Sequence, residues 1–203
     1  MLRTETVEPG TLELLRSLMR LPELEGFLLV GGTSLSLQIG HRISIDLDLF
    51  STAKFDAETV LDALREHYRV DISEKGIKTL NLRVNDVKVD ILHYPYPLLQ
   101  APVTVDGIRM IGRQDICAMK LSAISSRAAK KDFFDLFFLF REFQFAEMLD
   151  FYRQKFGTED IFHVLKSVTY FVDADESPDP NCLEDITWEQ VKNGIRREVR
   201  RFV

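Results

Sequence analysis

Apolar positions come in short bursts along the first half of the chain and at helical spacing along the second. Leu12, Leu14, Leu15 and Leu18, after Pro9-Gly10, predict a helix over about Thr11 to Met19. Phe27-Leu28-Leu29-Val30 predicts a buried strand ended by Gly31-Gly32, and Thr33 is then placed to cap a helix reaching about Gly40. Ile45 to Phe50 predicts a second strand, followed by a helix over about Asp56 to His67. A β-rich stretch runs from Arg69 to His93. In it Leu80-Asn81-Leu82-Arg83-Val84 and Val87-Lys88-Val89-Asp90-Ile91 flank Asn85-Asp86, a two-residue turn suited to a hairpin. Tyr94 to Pro102 reads as a loop, with a short strand near Ile108 to Ile111. From Gln114 the pattern is helical almost to the end. It is interrupted by the loop-forming Asp173 to Pro180 and closed by a basic helix over about Trp188 to Phe202.

These elements divide near residue 112. The fold class they predict is α+β: a mixed sheet with flanking helices over residues 1–112, then a helical region over 113–203 packed on that core. A chain of 203 residues with 45% hydrophobic content can bury such a core. The net charge of −6 excludes a protein that coats nucleic acid through a global positive field, though a local basic stripe can override the sign. Cys117 and Cys182 have no metal-ligand spacing, and the four His show none. Neither a secretory signal nor a bilayer-length apolar run is present, so the expected compartment is the cytoplasm, without a membrane partner.

Candidate chemistry begins with Ile45-Asp46-Leu47-Asp48-Leu49, where apolar and acidic residues alternate. On a strand both carboxylates share one face, with Cα atoms roughly 6.5 to 7 Å apart. Like charges there repel, and Asp is a poor strand former. A hard divalent cation, Mg²⁺ or Mn²⁺, would cancel the repulsion. Asp90, on another predicted strand, supplies a third carboxylate, enough for a two-metal site, and is a candidate general base. The competing reading is an ordinary solvent face of an edge strand.

The glycine turn shifts that balance. A strand, Gly31-Gly32 and a helix beginning near Thr33 aim backbone N–H groups at one point suited to a phosphate, with Thr33 or Ser34 adding a hydroxyl. Thirteen residues then separate Gly32 from Asp46, enough for a helix and a return to a neighbouring strand.

Further along, Lys120, Arg127 and Lys131 would fall within about 40° of one line on an unbroken helix. They could neutralise a triphosphate. Alternatively they form a solvated face, with Lys131 and Asp135 as an i,i+4 pair and Asp132 as an N-cap, or Lys130-Lys131-Asp132 marks a break between two helices that alters the stripe but keeps these groups close. The Phe133, Phe134, Phe137, Phe138 and Phe140 cluster reads as core.

Gly31-Gly32, the gap and Asp46-Leu47-Asp48 resemble the signature of the nucleotidyltransferase superfamily that includes DNA polymerase β. The fuller stretch Gly31 to Phe50 resembles the AbiEii/AbiGii toxin family of bacterial nucleotidyltransferases. Ala118-Met119-Lys120-Leu121-Ser122-Ala123-Ile124, Arg127 and Lys131-Asp132-Phe133-Phe134-Asp135-Leu136 resemble its downstream pattern. Arg42 and Ser44 match as well.

The resemblance implies a nucleotidyltransferase-like fold and a Mg²⁺-dependent enzyme, the toxin-like member of a type IV toxin–antitoxin or abortive-infection pair. It would move a nucleotide from an NTP to an acceptor such as tRNA, with a cognate antitoxin as partner. Asp46, Asp48 and Asp90 would be the catalytic, metal-holding residues. Gly31, Gly32, Thr33, Ser34, Arg42, Lys120, Arg127 and Lys131 would bind the nucleotide, supported by Asp132 and Asp135. A small-molecule acceptor, or a non-catalytic nucleotide-binding module, remain the alternatives.

Overall fold

A computed structural model describes residues 1–202, which form two compact units. The sheet unit comprises Met1–Gly40, Ser44–Pro97 and Ala101–Ile111; the helical unit takes His41–Ile43, Leu98–Gln100 and the chain from Gly112 onward.

The sheet unit runs α1 (Pro9–Leu18), β1 (Leu28–Val30), α2 (Gly31–Ile39), β2 (Leu47–Ser51), α3 (Ala57–His67), β3 (Val70–Lys75), β4 (Thr79–Val84), β5 (Val87–His93), β6 (Val103–Val105) and β7 (Ile108–Met110). The seven strands form one mixed sheet in the order β3-β4-β5-β2-β1-β7-β6, with β2 parallel to β5 and β1 parallel to β7. Alternation decides the faces. Leu47 and Leu49 of β2, Val89 and Ile91 of β5, and Leu80, Leu82 and Val84 of β4 are buried with Leu12, Leu15 and Leu18 of α1 and Leu61 and Leu64 of α3. The opposite face keeps the polar members.

Asn85 and Asp86 both adopt positive φ (47° and 69°), the conformation a two-residue hairpin turn requires. Asp106-Gly107 (51° and 77°) repeats the device between β6 and β7. β6 occupies a stretch whose sequence predicted no strand; Val103-Thr104-Val105 is short and exposed on most of its length, pairs with β7, and packs only Val105 against the core. Two boundaries differ from expectation. β2 begins at Leu47, so Ile45 and Asp46 precede it. α2 begins at Gly31 with Val30 at the cap position, and Thr33 lies inside it rather than capping it.

The helical unit contains α4 (Arg113–Arg127), α5 (Lys130–Leu139), α6 (Phe145–Phe156), α7 (Phe162–Val168), α8 (Val172–Asp175) and α9 (Trp188–Phe202). A left-handed residue, Ala128 (φ 46°), ends α4, so Lys120 and Arg127 lie on one helix and Lys131 on the next. The stripe that an unbroken helix would give is not formed; the alternative, a break between two helices next to Lys130-Lys131-Asp132, is what the structure has. Ala129, not Asp132, is the N-cap of α5, and Asp132 sits in its first turn. α8 occupies the start of the stretch expected to be loop.

Phe133, Phe134 and Phe138 of α5 are core. Trp188 stacks on Phe134 (centroids 5.9 Å apart) and meets Phe133 and Phe171 edge-on. Among the described residues, no helix is long and apolar enough to cross a membrane.

Candidate active site in the sheet unit and an ionic centre in the helical unit

One register line across the sheet unit collects the polar groups. Asn81 of β4 pairs with Asp90 of β5, Asp90 with Asp48 of β2, and Asp48 with Val30 of β1, immediately before Gly31. Asp46 precedes the strand, its carbonyl held by the Thr33 hydroxyl and its charge reaching Lys88. Lys88 lies two residues before Asp90 on β5, on the same face of the strand.

Asp90 is held at both oxygens. Asn81 Nδ2 donates to Oδ1 at 2.9 Å, and the Lys88 ammonium sits 2.8 Å from Oδ2. The hydrogen bond to Asp90 raises the Lys88 pKa most; burial opposes it, and the charges of Asp90, Asp46 and Asp48 add to the rise. Lys88 thus feels the field of all three carboxylates, as a bound cation would. The Asn81 Oδ1 atom is buried without a hydrogen-bond partner.

Gly31 joins strand to helix at φ 68°, where an L side chain is strained. A Cβ built there would also collide with the Asp48 carboxylate. Gly31→Ala is therefore expected to lower stability by about 1–2 kcal/mol and to displace Asp48. Thermal unfolding should show the first and a nucleotide-transfer assay the second.

No side chain caps α2. Its first-turn N–H groups, which have no intrahelical partners, are the kind of donors an oxyanion takes. Thr33 and Ser34 are fully buried. The Thr33 hydroxyl donates to the Asp46 carbonyl and lies 2.8 Å from the Ser44 hydroxyl, so it ties the acidic segment to the helix. Ser34 Oγ accepts from Gln38 Nε2 at 3.1 Å.

The helical unit holds a buried ionic centre. Segment 41–43 belongs to it because it pairs with 181–183: Ile43 N–H donates to Asn181 O, and Leu183 N–H to His41 O. Arg42 reaches Asp135 through Nε (2.6 Å) and Nη2 (3.0 Å), and Lys120 Nζ lies 2.5 Å from the same carboxylate. His41 Nε2, 2.7 Å from Asp135 Oδ1, must carry its proton, because a carboxylate only accepts. His41 Nδ1 is then a buried lone pair without a partner. Lys120 also bonds Asp132 (2.8 Å), which takes two hydrogen bonds from Arg127.

Burial alone would push Asp135 up. The charges of Lys120 and Arg42 and the hydrogen bonds from His41 and Arg42 outweigh it and hold the carboxyl well below the usual range. For Asp132 burial is likewise outweighed by Lys120 and Arg127. His41 goes the other way: burial lowers it, and Asp135 only partly restores it. A second buried pair, Lys155 with Asp115 at 2.7 Å, sits at 0% exposure on both sides, with Asp115 also accepting from the Leu99 and Gln100 N–H groups.

The family model described as nucleotidyl transferase AbiEii toxin, type IV TA system, matches residues 13–201. The chain belongs to the AbiEii nucleotidyl transferase toxin family. It is 33% identical over 199 residues to an uncharacterized protein of Aquifex aeolicus, covering 94% of this chain and 95% of that one. The fold is similar to that of JHP933 from Helicobacter pylori (TM-score 0.60, 20% identity, 96% of this chain and 92% of that one). It is also similar to MenT4, a nucleotidyltransferase toxin from Mycobacterium tuberculosis (TM-score 0.55, 17% identity, 92% and 82%). The mixed sheet is thus nucleotidyltransferase-like, and the AbiEii chain is an enzyme of nucleotidyl transfer by family.

In this AbiEii enzyme the sheet unit brings together Gly31, Gly32, Thr33, Ser34, Asp46, Asp48 and Asp90. Arg42, Lys120, Arg127, Asp132 and Asp135 form a separate group in the helical unit; Lys131 is exposed on α5. Asn81 and Lys88 were not singled out by sequence; strand alternation placing them beside Asp90 is the signal that could have found them. Burial pushes both thiols up, Cys182 to about 11, which removes them as nucleophiles. No group of three or more His, Cys, Asp or Glu among the described residues already stands close enough to hold a metal. The donor chemistry nevertheless fits a hard divalent cation: Asp48 and Asp90 are register partners, and the Lys88 ammonium feels their charges and that of Asp46 together.

Proposed function

We propose that this AbiEii enzyme transfers a nucleotide from an NTP to RNA, tRNA foremost, using Mg²⁺ or Mn²⁺. It would act in the cytoplasm as the toxin of a type IV pair opposed by a cognate antitoxin. The observation that carries the reading is the register of Asp48 beside Asp90, with the charge of Asp46 reaching the same Lys88 and the uncapped start of α2 following Val30, the register partner of Asp48.

Asp46, Asp48 and Asp90 would hold the metal, which when bound supplies charge neutralisation at the phosphates and activation of the attacking oxygen. The chain's own groups do the rest. N–H groups from Gly31 and Gly32 orient the phosphates, Thr33 fixes Asp46 through its carbonyl, and Asn81 and Lys88 fix Asp90. Asp90 takes the proton of the acceptor hydroxyl as its oxygen bonds the α-phosphorus, the α–β phosphoanhydride breaks and pyrophosphate leaves. Lys131 and Arg127 keep the proposed role of phosphate contacts, Arg127 by exchanging its hydrogen bonds to Asp132 for a phosphate. Arg42 and Lys120 would have to leave Asp135 to do so, and their proposed role is to hold the helices, with Asp132 and Asp135 as the anions that fix them.

The test is incorporation of each α-³²P NTP into total tRNA with Mg²⁺. Label transferred by the wild type and lost in Asp46→Ala/Asp48→Ala supports the reading and names the base. A folded wild type that transfers no label from any NTP rejects RNA as acceptor and turns the search to small molecules or proteins.

A further inference from the structure

Charge in this chain is segregated. Helix α9 carries five Lys or Arg and two Glu, net +3, so the remainder of a chain of net −6 stands at −9. The helix has two opposed stripes. Val191, Gly194, Ile195 and Val199 are buried, with Gly194 allowing the Phe137 ring of α5 to lie against the backbone. Asn193, Arg196, Arg197, Arg200 and Arg201, at i, i+3, i+4, i+7 and i+8, line one surface groove of about 600 Å³.

We propose that this arginine stripe docks the phosphate backbone of RNA. Eight residues of helix span about 12 Å, the length of roughly three to four phosphates along one strand. All four cations are Arg, whose planar fork matches a phosphate at two points, where a merely solvating face would do as well with Lys. Three are already oriented. Arg196 lies over the Phe171 ring at 5.0 Å and donates to Asn193, while Glu198 sits between Arg197 and Arg201 and pairs with both. Arg200 makes no ion pair among the described residues.

Arg201 also borders a second groove, lined by Gln144, Phe145, Ala146, Glu198 and Phe202. There the Phe202 ring, 40% exposed, offers a base a surface to stack on. Cations beside an exposed aromatic ring favour a nucleic acid over an acidic polypeptide. Insertion into a lipid surface is disfavoured because the apolar stripe is already buried. The choice of RNA over DNA rests on the acceptor proposed above; the phosphate chemistry does not.

The test is fluorescence anisotropy of a labelled single-stranded RNA of about 20 nucleotides across a salt series, with Asp46→Ala/Asp48→Ala beside the wild type so that loss of catalysis and loss of docking are read separately. The catalytic variant should bind as the wild type does. Arg196→Gln/Arg197→Gln/Arg200→Gln/Arg201→Gln should bind at least tenfold more weakly at 100 mM salt. Its slope of log affinity against log salt should flatten by about 2.8, and that of Arg200→Gln alone by about 0.7. Circular dichroism checks the folding of each variant, and Arg200→Gln, which removes no internal ion pair, decides the matter if the quadruple variant does not fold. Unchanged affinity and slope in folded variants would overturn the proposal. So would displacement of RNA by polyglutamate at equal charge, which would indicate an acidic protein partner, or tighter binding of the matching DNA.

Discussion

Asp135→Ala is expected to lower the stability of the helical unit by about 3–5 kcal/mol, a large share of the 5–15 kcal/mol that holds a typical domain together. The carboxylate is fully buried, and its removal leaves the Arg42 and Lys120 charges facing each other without an anion between them. Asp132 can compensate Lys120 in part but is already bound by Arg127. Trp188, the single tryptophan, lies in the helical unit against Phe134, so its fluorescence in urea follows this unit rather than the sheet. Removing a cation as well, in Asp135→Ala/Lys120→Met, should recover part of the loss, because it restores balance among the buried charges. A fully additive double variant would show that the ion pairs contribute nothing beyond packing.

The same centre sets the response to acid. His41 is held below its ordinary pKa of 6.5, so as pH falls through that value the unfolded chain takes up a proton that the folded chain refuses. Asp132 and Asp135 have depressed pKa values, so their contribution is present above about 4 and is lost as pH falls toward their folded values. Both effects favour neutral pH. The Trp188-reported urea midpoint should decline from pH 7 to 5, with a His41 slope of no more than about 1.4 kcal/mol per pH unit, and decline again below pH 4.

Asp48→Asn and Asp90→Asn are expected to behave in the opposite way. Each should cut nucleotide transfer by roughly a hundredfold to a thousandfold, the scale of several kcal/mol of charge stabilisation, while leaving the metal-free protein as stable as the wild type or more so. The two carboxylates are register partners on neighbouring strands, and like charges so placed repel. Mg²⁺ should raise the melting temperature of the wild type through binding to the folded state and do so less in each variant. A variant that loses activity and folding together would assign these residues to structure instead.

Much of this was legible in the chain. The alternation of Leu47, Asp48 and Leu49 set Asp48 opposite the buried face, and Asn85-Asp86 set the hairpin that brings Asp90 into line. Asp46 falls before the strand, so alternation alone did not place it. The glycine turn was legible because positive φ beside a crowded carboxylate leaves little choice of residue. What was not legible depended on distant partners. Lys120 and Arg127 look the same in sequence whether they meet phosphates or Asp132. Asn81 resembles any solvent-facing strand residue until its neighbour across the ladder is known to be Asp90.

Segment 41–43 crosses from the sheet unit to the helical unit and back within three residues, and 98–100 does so again. Neither unit is therefore a cassette. A fragment starting at Gly112 would contain Asp135 and Lys120 but lack His41 and Arg42, and it would also lack the Leu99 and Gln100 amides that bind Asp115. A cut near residue 112 therefore separates the Asp135 carboxylate from two of its three partners, and the working boundary of the C-terminal half includes three residues beyond Gly40.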